Sequence, residues 1–172
     1  MDWSAMFQAE VVVFGCGNLL FGDDGLAPTA VAALAAAPDA PQNAVFVDAG
    51  TSIRPLLLDL TLSDATPRRV ILVDTVQEPG REPGGIHVET LDDRPGDDPA
   101  ENFLHLAPTL GLLRRFHRKY GAQVLVVTVQ AQRLPELVDD SLSPEALAAL
   151  PRLVARLCSL CRMDSEALPK PD

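Results

Sequence analysis

Aromatic side chains make up only 5% of this 172-residue chain, which has three cysteines, three histidines and a single tryptophan. A core so short of aromatics must be filled by Leu, Val and Ala. A hydrophobic content of 47% in one domain-sized chain is enough for that. An odd, sparse cysteine count excludes a disulfide framework and fits reduced thiols. Basic residues are also scarce: 14 Lys and Arg stand against 24 Asp and Glu, a formal charge of -10. That balance excludes general nucleic-acid binding, which needs a cationic surface. No apolar run approaches the roughly 20 residues that span a bilayer. Nor does Met1 to Glu10 have a basic start followed by an apolar stretch. The expectation is a cytoplasmic protein with no membrane insertion.

What the chain does have is a short apolar run, Val11 to Phe14, feeding the glycine-rich loop Gly15-Cys16-Gly17-Asn18-Leu19-Leu20-Phe21-Gly22-Asp23-Asp24-Gly25. The run reads as a buried strand. The loop brings two adjacent carboxylates to the start of a helix, at the carboxyl end of a strand, where open α/β sheets place their ligand sites. It is not a phosphate cradle. The dinucleotide pattern G-x-G-x-x-G fails at Leu20, no lysine completes a P-loop, and Asp23 and Asp24 would repel a pyrophosphate. Two later runs have the same form: Val45-Phe46-Val47-Asp48 and Val70-Ile71-Leu72-Val73-Asp74. One strand-terminal aspartate is ordinarily a helix cap. Three acidic strand ends on one sheet edge predict a carboxylate-lined cleft.

Strands are expected over about Glu10–Gly15, Ala44–Val47, Arg69–Val73, Gly85–Thr90 and Gln123–Val127. Helices are expected over about Gly25–Ala37, Ile53–Leu62 with Thr51 or Ser52 as cap, Ala107–Tyr120, and from the Ser143 cap to Cys161. Pro108 suits a first helical turn, which leaves His105 just ahead of that helix. The alternation predicts an α/β fold, a three-layer αβα sandwich around a mostly parallel five-stranded sheet, with the strand at His87 free to run antiparallel. Residues 1–163 form one domain, and the polar tail 164–172 is expected to be disordered.

Nucleophilic chemistry finds little support. No G-x-S-x-G elbow occurs. Cys16 has no histidine beside it in sequence and reads as a small buried thiol, and Cys158 and Cys161 read as helix packing residues. Of the histidines, His117 belongs to a solvated basic helix end and His87 to a surface rung. Asp24, Asp74 and His105 stand out together: two carboxylates and an imidazole from three loops suit nickel, zinc or another first-row divalent ion.

The loop from Gly15 to Gly25 resembles the G-x-G-N-x-L-x-x-D-[DE]-G signature of the hydrogenase maturation proteases, and its wording is nearest the branch serving F420-reducing or related hydrogenases. Asp48-Ala49-Gly50-Thr51 is similar to the family's D-G-G-T segment, and Val73-Asp74 and His105 follow in matching order. Ala49 and Ala27 stand where the family favours glycine, which touches loop detail and partner choice. The resemblance implies an endopeptidase that removes a carboxyl-terminal peptide from the large-subunit precursor of a NiFe-hydrogenase. It implies that Asp24, Asp74 and His105 are both the catalytic and the metal-contacting residues. It also implies that the metal is Ni²⁺ carried by the precursor as a recognition tag. Metal-activated water and a carboxylate base both stay open. The rival expectation is a non-catalytic nickel chaperone or docking subunit using the same ligands.

Overall fold

The computed structural model describes residues 3–64, 67–91 and 107–163. In chain order they form β1 (Val11–Cys16), a 3-10 turn (Gly22–Gly25), α1 (Leu26–Ala35), β2 (Ala44–Gly50), α2 (Ile53–Leu62), β3 (Arg69–Val76), β4 (Ile86–Leu91), α3 (Ala107–Tyr120), β5 (Gln123–Gln130) and α4 (Pro144–Arg162). The sheet order is β2-β1-β3-β5-β4; the first four strands are mutually parallel and β4 runs antiparallel to β5. The expected fold class is the one observed.

β1 and β3 are buried along their whole length, which their unbroken apolar runs require, because helices cover both faces of the sheet. Alternate residues feed two cores. Val12, Phe14, Val70, Leu72, Val124 and Val126 pack beneath α2 and α3. Val11, Val13, Ile71, Val73, Leu125 and Val127 pack beneath α1 and α4. Gly15 makes the α1 contact possible: a Cβ there would lie 2.8 Å from the Ala27 carbonyl oxygen.

Local signals set several boundaries. Ser143 caps α4, its Oγ accepting from the Ala146 amide at 3.2 Å, with Pro144 in the first turn. The other end of α4 is held by the buried Arg69 of β3. Its Nε donates to Gln123 Oε1 at 2.5 Å, and its Nη1 donates to the carbonyls of Leu160 at 2.5 Å and Met163 at 3.0 Å. A cation at a helix carboxyl end also favours the dipole. Ser52 stands at the N-cap of α2, as expected, but makes no side-chain capping bond. Residues 92–106, with His105, and the tail 164–172 lie outside the described residues. No helix among the described residues is long and apolar enough to cross a membrane.

Candidate active site

The strand order reverses direction at β1: the chain steps outward to β2, then returns past β1 to β3. A crevice opens at the carboxyl ends of strands where such a reversal occurs. The structure brings the acidic strand ends together at this point.

Beyond β1 the chain turns at Gly17, whose φ of 128° favours glycine. Its amide donates to the Gly50 carbonyl at 3.0 Å, joining the β1 loop to the end of β2. A Cβ on Gly17 would sit 2.0 Å from the Asp24 carbonyl oxygen, so the acidic turn rests directly on this glycine. The Asn18 amide donates to Asp24 Oδ2 at 2.7 Å.

The two adjacent acids have separate roles. Asp23 is fully buried. Its Oδ2 accepts from the amides of Gln132 at 2.9 Å and Arg133 at 3.1 Å and from Ser143 Oγ at 2.9 Å. Its Oδ1 accepts from the Ser143 amide at 2.7 Å. Four donors occupy this carboxylate, which ties the β1 loop to the segment entering α4. Asp24 is half-buried, and its charge acts on both Asp74 and Cys16.

Asp74, at the end of β3, is 7% exposed and accepts from the Thr75 amide at 2.8 Å. Burial pushes its pKa up to about 7; the Thr75 bond opposes that rise, and the Asp24 charge adds to it. Asp48 stands on the third strand end. Its Oδ1 accepts from the Gly50 amide at 3.0 Å, a local turn bond, and it does not cap α2. Beside it is a depression of about 500 Å³ lined by Ala49, Gly50, Thr51, Ser52, Pro55 and Leu56. Cys16 lies among the three acids. Burial, then the charges of Asp74, Asp24 and Asp48, drive its thiol pKa far above the ordinary value. A thiol held protonated is not a nucleophile.

Thr128 is a neighbour that sequence reasoning missed. It is the β5 partner of Asp74 in the parallel ladder, so both side chains leave the same face of the sheet. It is buried, and its hydroxyl has no hydrogen-bond partner among the described residues. The only sequence signal was a polar residue ending an apolar run, Val124 to Val127. His87 is exposed on β4 as expected. His117 is not simply solvated: it is half-buried, with Nδ1 2.8 Å from the Ala122 carbonyl oxygen. Of the three expected ligands, Asp24 lies near enough to Asp74 for its charge to act on it, and His105 lies outside the described residues. Among the described residues, no three His, Cys, Asp or Glu side chains are grouped to hold a metal ion. The two oxygen-donor acids would therefore need a further ligand to complete a first-row metal site.

A family model described as hydrogenase maturation protease matches residues 28–160. A protein of Methanocaldococcus jannaschii assigned as a hydrogenase maturation protease is 31% identical over 151 residues, covering 87% of this chain and 94% of that protein. The coenzyme F420 hydrogenase subunit delta of Methanothermobacter thermautotrophicus is 30% identical, covering 86% of this chain and 92% of its own. Among solved structures, the endopeptidase HycI from Escherichia coli aligns with a TM-score of 0.66 at 25% identity, covering 87% of this chain and 89% of that one. The hydrogenase maturating endopeptidase HybD from E. coli aligns with a TM-score of 0.67 over 88% of this chain and 91% of that one; at 22% identity it speaks for the fold.

Proposed function

This chain belongs to the hydrogenase maturation protease family, and from that premise we propose that it removes a carboxyl-terminal peptide from the nickel-loaded large-subunit precursor of a NiFe-hydrogenase. The coarser role, that of a peptidase in hydrogenase maturation, comes with the family. The observation that supports the finer reading is the presence of Asp24 near Asp74 at the strand-order reversal, where a buried carboxylate with a pKa of about 7 feels the charge of a second acid.

In this reading nickel belongs to the substrate. Asp24, Asp74 and His105 contact it and bring the scissile peptide into the crevice. Borderline metals accept carboxylate and imidazole together, which fits this donor set. Asp24 is positioned by the Asn18 amide and Asp74 by the Thr75 amide. Asp74, with a pKa near neutrality, can take up and return a proton where peptide hydrolysis needs one. Asp23 takes no part, because its four donors leave it no room for substrate.

Processing of the purified precursor by Asp24→Ala, Asp74→Ala and His105→Ala variants tests the assignment. Each is expected to lose cleavage and keep a folded spectrum. Wild-type processing by all three would end it. Tight nickel binding by the isolated chain, with no cleavage of any precursor, would favour the chaperone alternative.

A further inference from the structure

We propose that the loops carrying Leu19, Leu20, Leu134, Leu137 and Val138 form the docking surface for the protein substrate, gripping a polypeptide segment whose apolar side chains are flanked by basic residues. This rests on the reading of the chain as a hydrogenase maturation peptidase.

These five side chains are all exposed, Leu137 at 81% and Val138 at 69%. They include most of the large exposed hydrophobics among the described residues, and they come from two segments more than a hundred residues apart in sequence. Scattered exposed leucines need no explanation; a contiguous patch with a polar rim marks an interaction site.

The patch is built rather than loose. The Asp139 amide donates to the Leu20 carbonyl at 2.9 Å, and the Gly22 amide donates to the Asp139 carbonyl at 2.6 Å. Gly22, at φ 58°, lets Pro135 close in, since a Cβ there would lie 2.8 Å from Pro135 Cδ. The Asp23 carboxylate holds the amides of Gln132 and Arg133. Arg133 in turn donates to Asp139 at 2.5 Å and to Ser141 Oγ at 2.9 Å.

The patch also adjoins the candidate site. Leu19 and Leu20 directly follow Asn18, whose amide bonds Asp24. The Leu19 backbone packs on Gly25, where a Cβ would meet the Leu19 Cα at 3.0 Å. The loop that carries Leu19 and Leu20 therefore touches the turn that carries Asp24. Charge defines the rest of the partner. Arg133 and Asp139 neutralise each other, while Glu136 and Asp140 are exposed and belong to no ion pair among the described residues. On a chain with formal charge -10, this rim repels acidic segments and attracts basic ones.

The test uses the full chain with Leu137→Ser/Val138→Ser, and separately with Glu136→Lys/Asp140→Lys. The substrate is the purified nickel-loaded cognate large-subunit precursor, followed by intact mass over a range of concentrations. Precursor binding is measured in parallel on the otherwise wild-type chain with and without each pair, by rapid mixing before cleavage proceeds. The expected result is a KM and a Kd raised about ten-fold or more by the apolar pair, with kcat within about two-fold. The charge pair should weaken binding and reduce its salt dependence. A wild-type chain that cleaves, with KM and Kd unmoved by either pair, overturns the proposal and leaves the peptidase reading intact. A wild-type chain that binds the precursor through the patch yet never cleaves it overturns the peptidase reading and leaves the docking surface standing. Self-association of the wild type that Leu137→Ser/Val138→Ser abolishes, without effect on precursor binding, assigns the patch to a second copy and overturns the proposal. A wild type that neither binds nor cleaves removes both.

Discussion

Replacing Asp74 by Asn should stabilise the metal-free protein and inactivate it. The carboxyl pKa stands at about 7 in the folded chain, against 3.8 for the free group, chiefly because burial penalises the charged form. A group whose folded pKa is raised binds more protons folded than unfolded, so it erodes stability as pH climbs from about 4 to about 7. At pH 8 the full cost applies, on the order of 4 kcal/mol at 1.36 kcal/mol per unit of pKa. At pH 4 it is nearly gone. Asn keeps the acceptor for the Thr75 amide and carries no charge. Urea unfolding of wild type and Asp74→Asn, in EDTA, should therefore show a gain of about 2–4 kcal/mol at pH 8 that shrinks to under about 1 kcal/mol at pH 4. A loss at both pH values, or a gain independent of pH, would refute the claim that the fold retains a costly buried charge here.

Asp23→Ala strands the buried Ser143 amide and hydroxyl and frees the part-buried amides of Gln132 and Arg133, and should cost about 3 kcal/mol, a drop of roughly 10 °C in Tm; Asp24→Ala, measured by the same thermal melt, should move Tm far less. Gly17→Ala drives a methyl into the Asp24 carbonyl oxygen, so it should cost more than about 2 kcal/mol by denaturant titration and lower processing at saturating precursor. Cys16→Ala should process precursor at a rate within about three-fold of wild type, and iodoacetamide at pH 7.5 should leave the native enzyme active, because the thiol is buried among three acids. Loss of activity on alkylation of Cys16 would reopen covalent catalysis.

Much of the fold was legible because its signals are local. The α2 range Ile53–Leu62 follows the Thr51-Ser52 cap signal, the α3 range Ala107–Tyr120 falls where Pro108 puts its first turn, and Ser143-Pro144 marks the start of α4. Strands were expected to stop at Val47, Val73 and Val127, yet β2, β3 and β5 run on to Gly50, Val76 and Gln130. Polar residues look like loop in sequence, but here they stay in the ladder, and those last rungs carry Asp48, Asp74 and Thr128. The convergence of acidic strand ends could be read from their shared form. The division between Asp23 and Asp24 could not, since the donors that bury Asp23 come from residues more than a hundred positions away. The role of Asp48, helix cap or site, is also open in sequence; in the structure it accepts the Gly50 amide and does not cap α2, and its charge acts on Cys16.

Nickel-gated processing can be read from the intact mass of the cognate large-subunit precursor, nickel-loaded and nickel-free, incubated with and without this protein. Loss of a carboxyl-terminal peptide is expected from the loaded precursor alone, and only with the protein present. Equal cleavage of the nickel-free precursor would contradict nickel as the recognition element. An unchanged mass in every sample, with a complex still formed, would contradict the peptidase and make Asp24, Asp74 and His105 carriers of the metal.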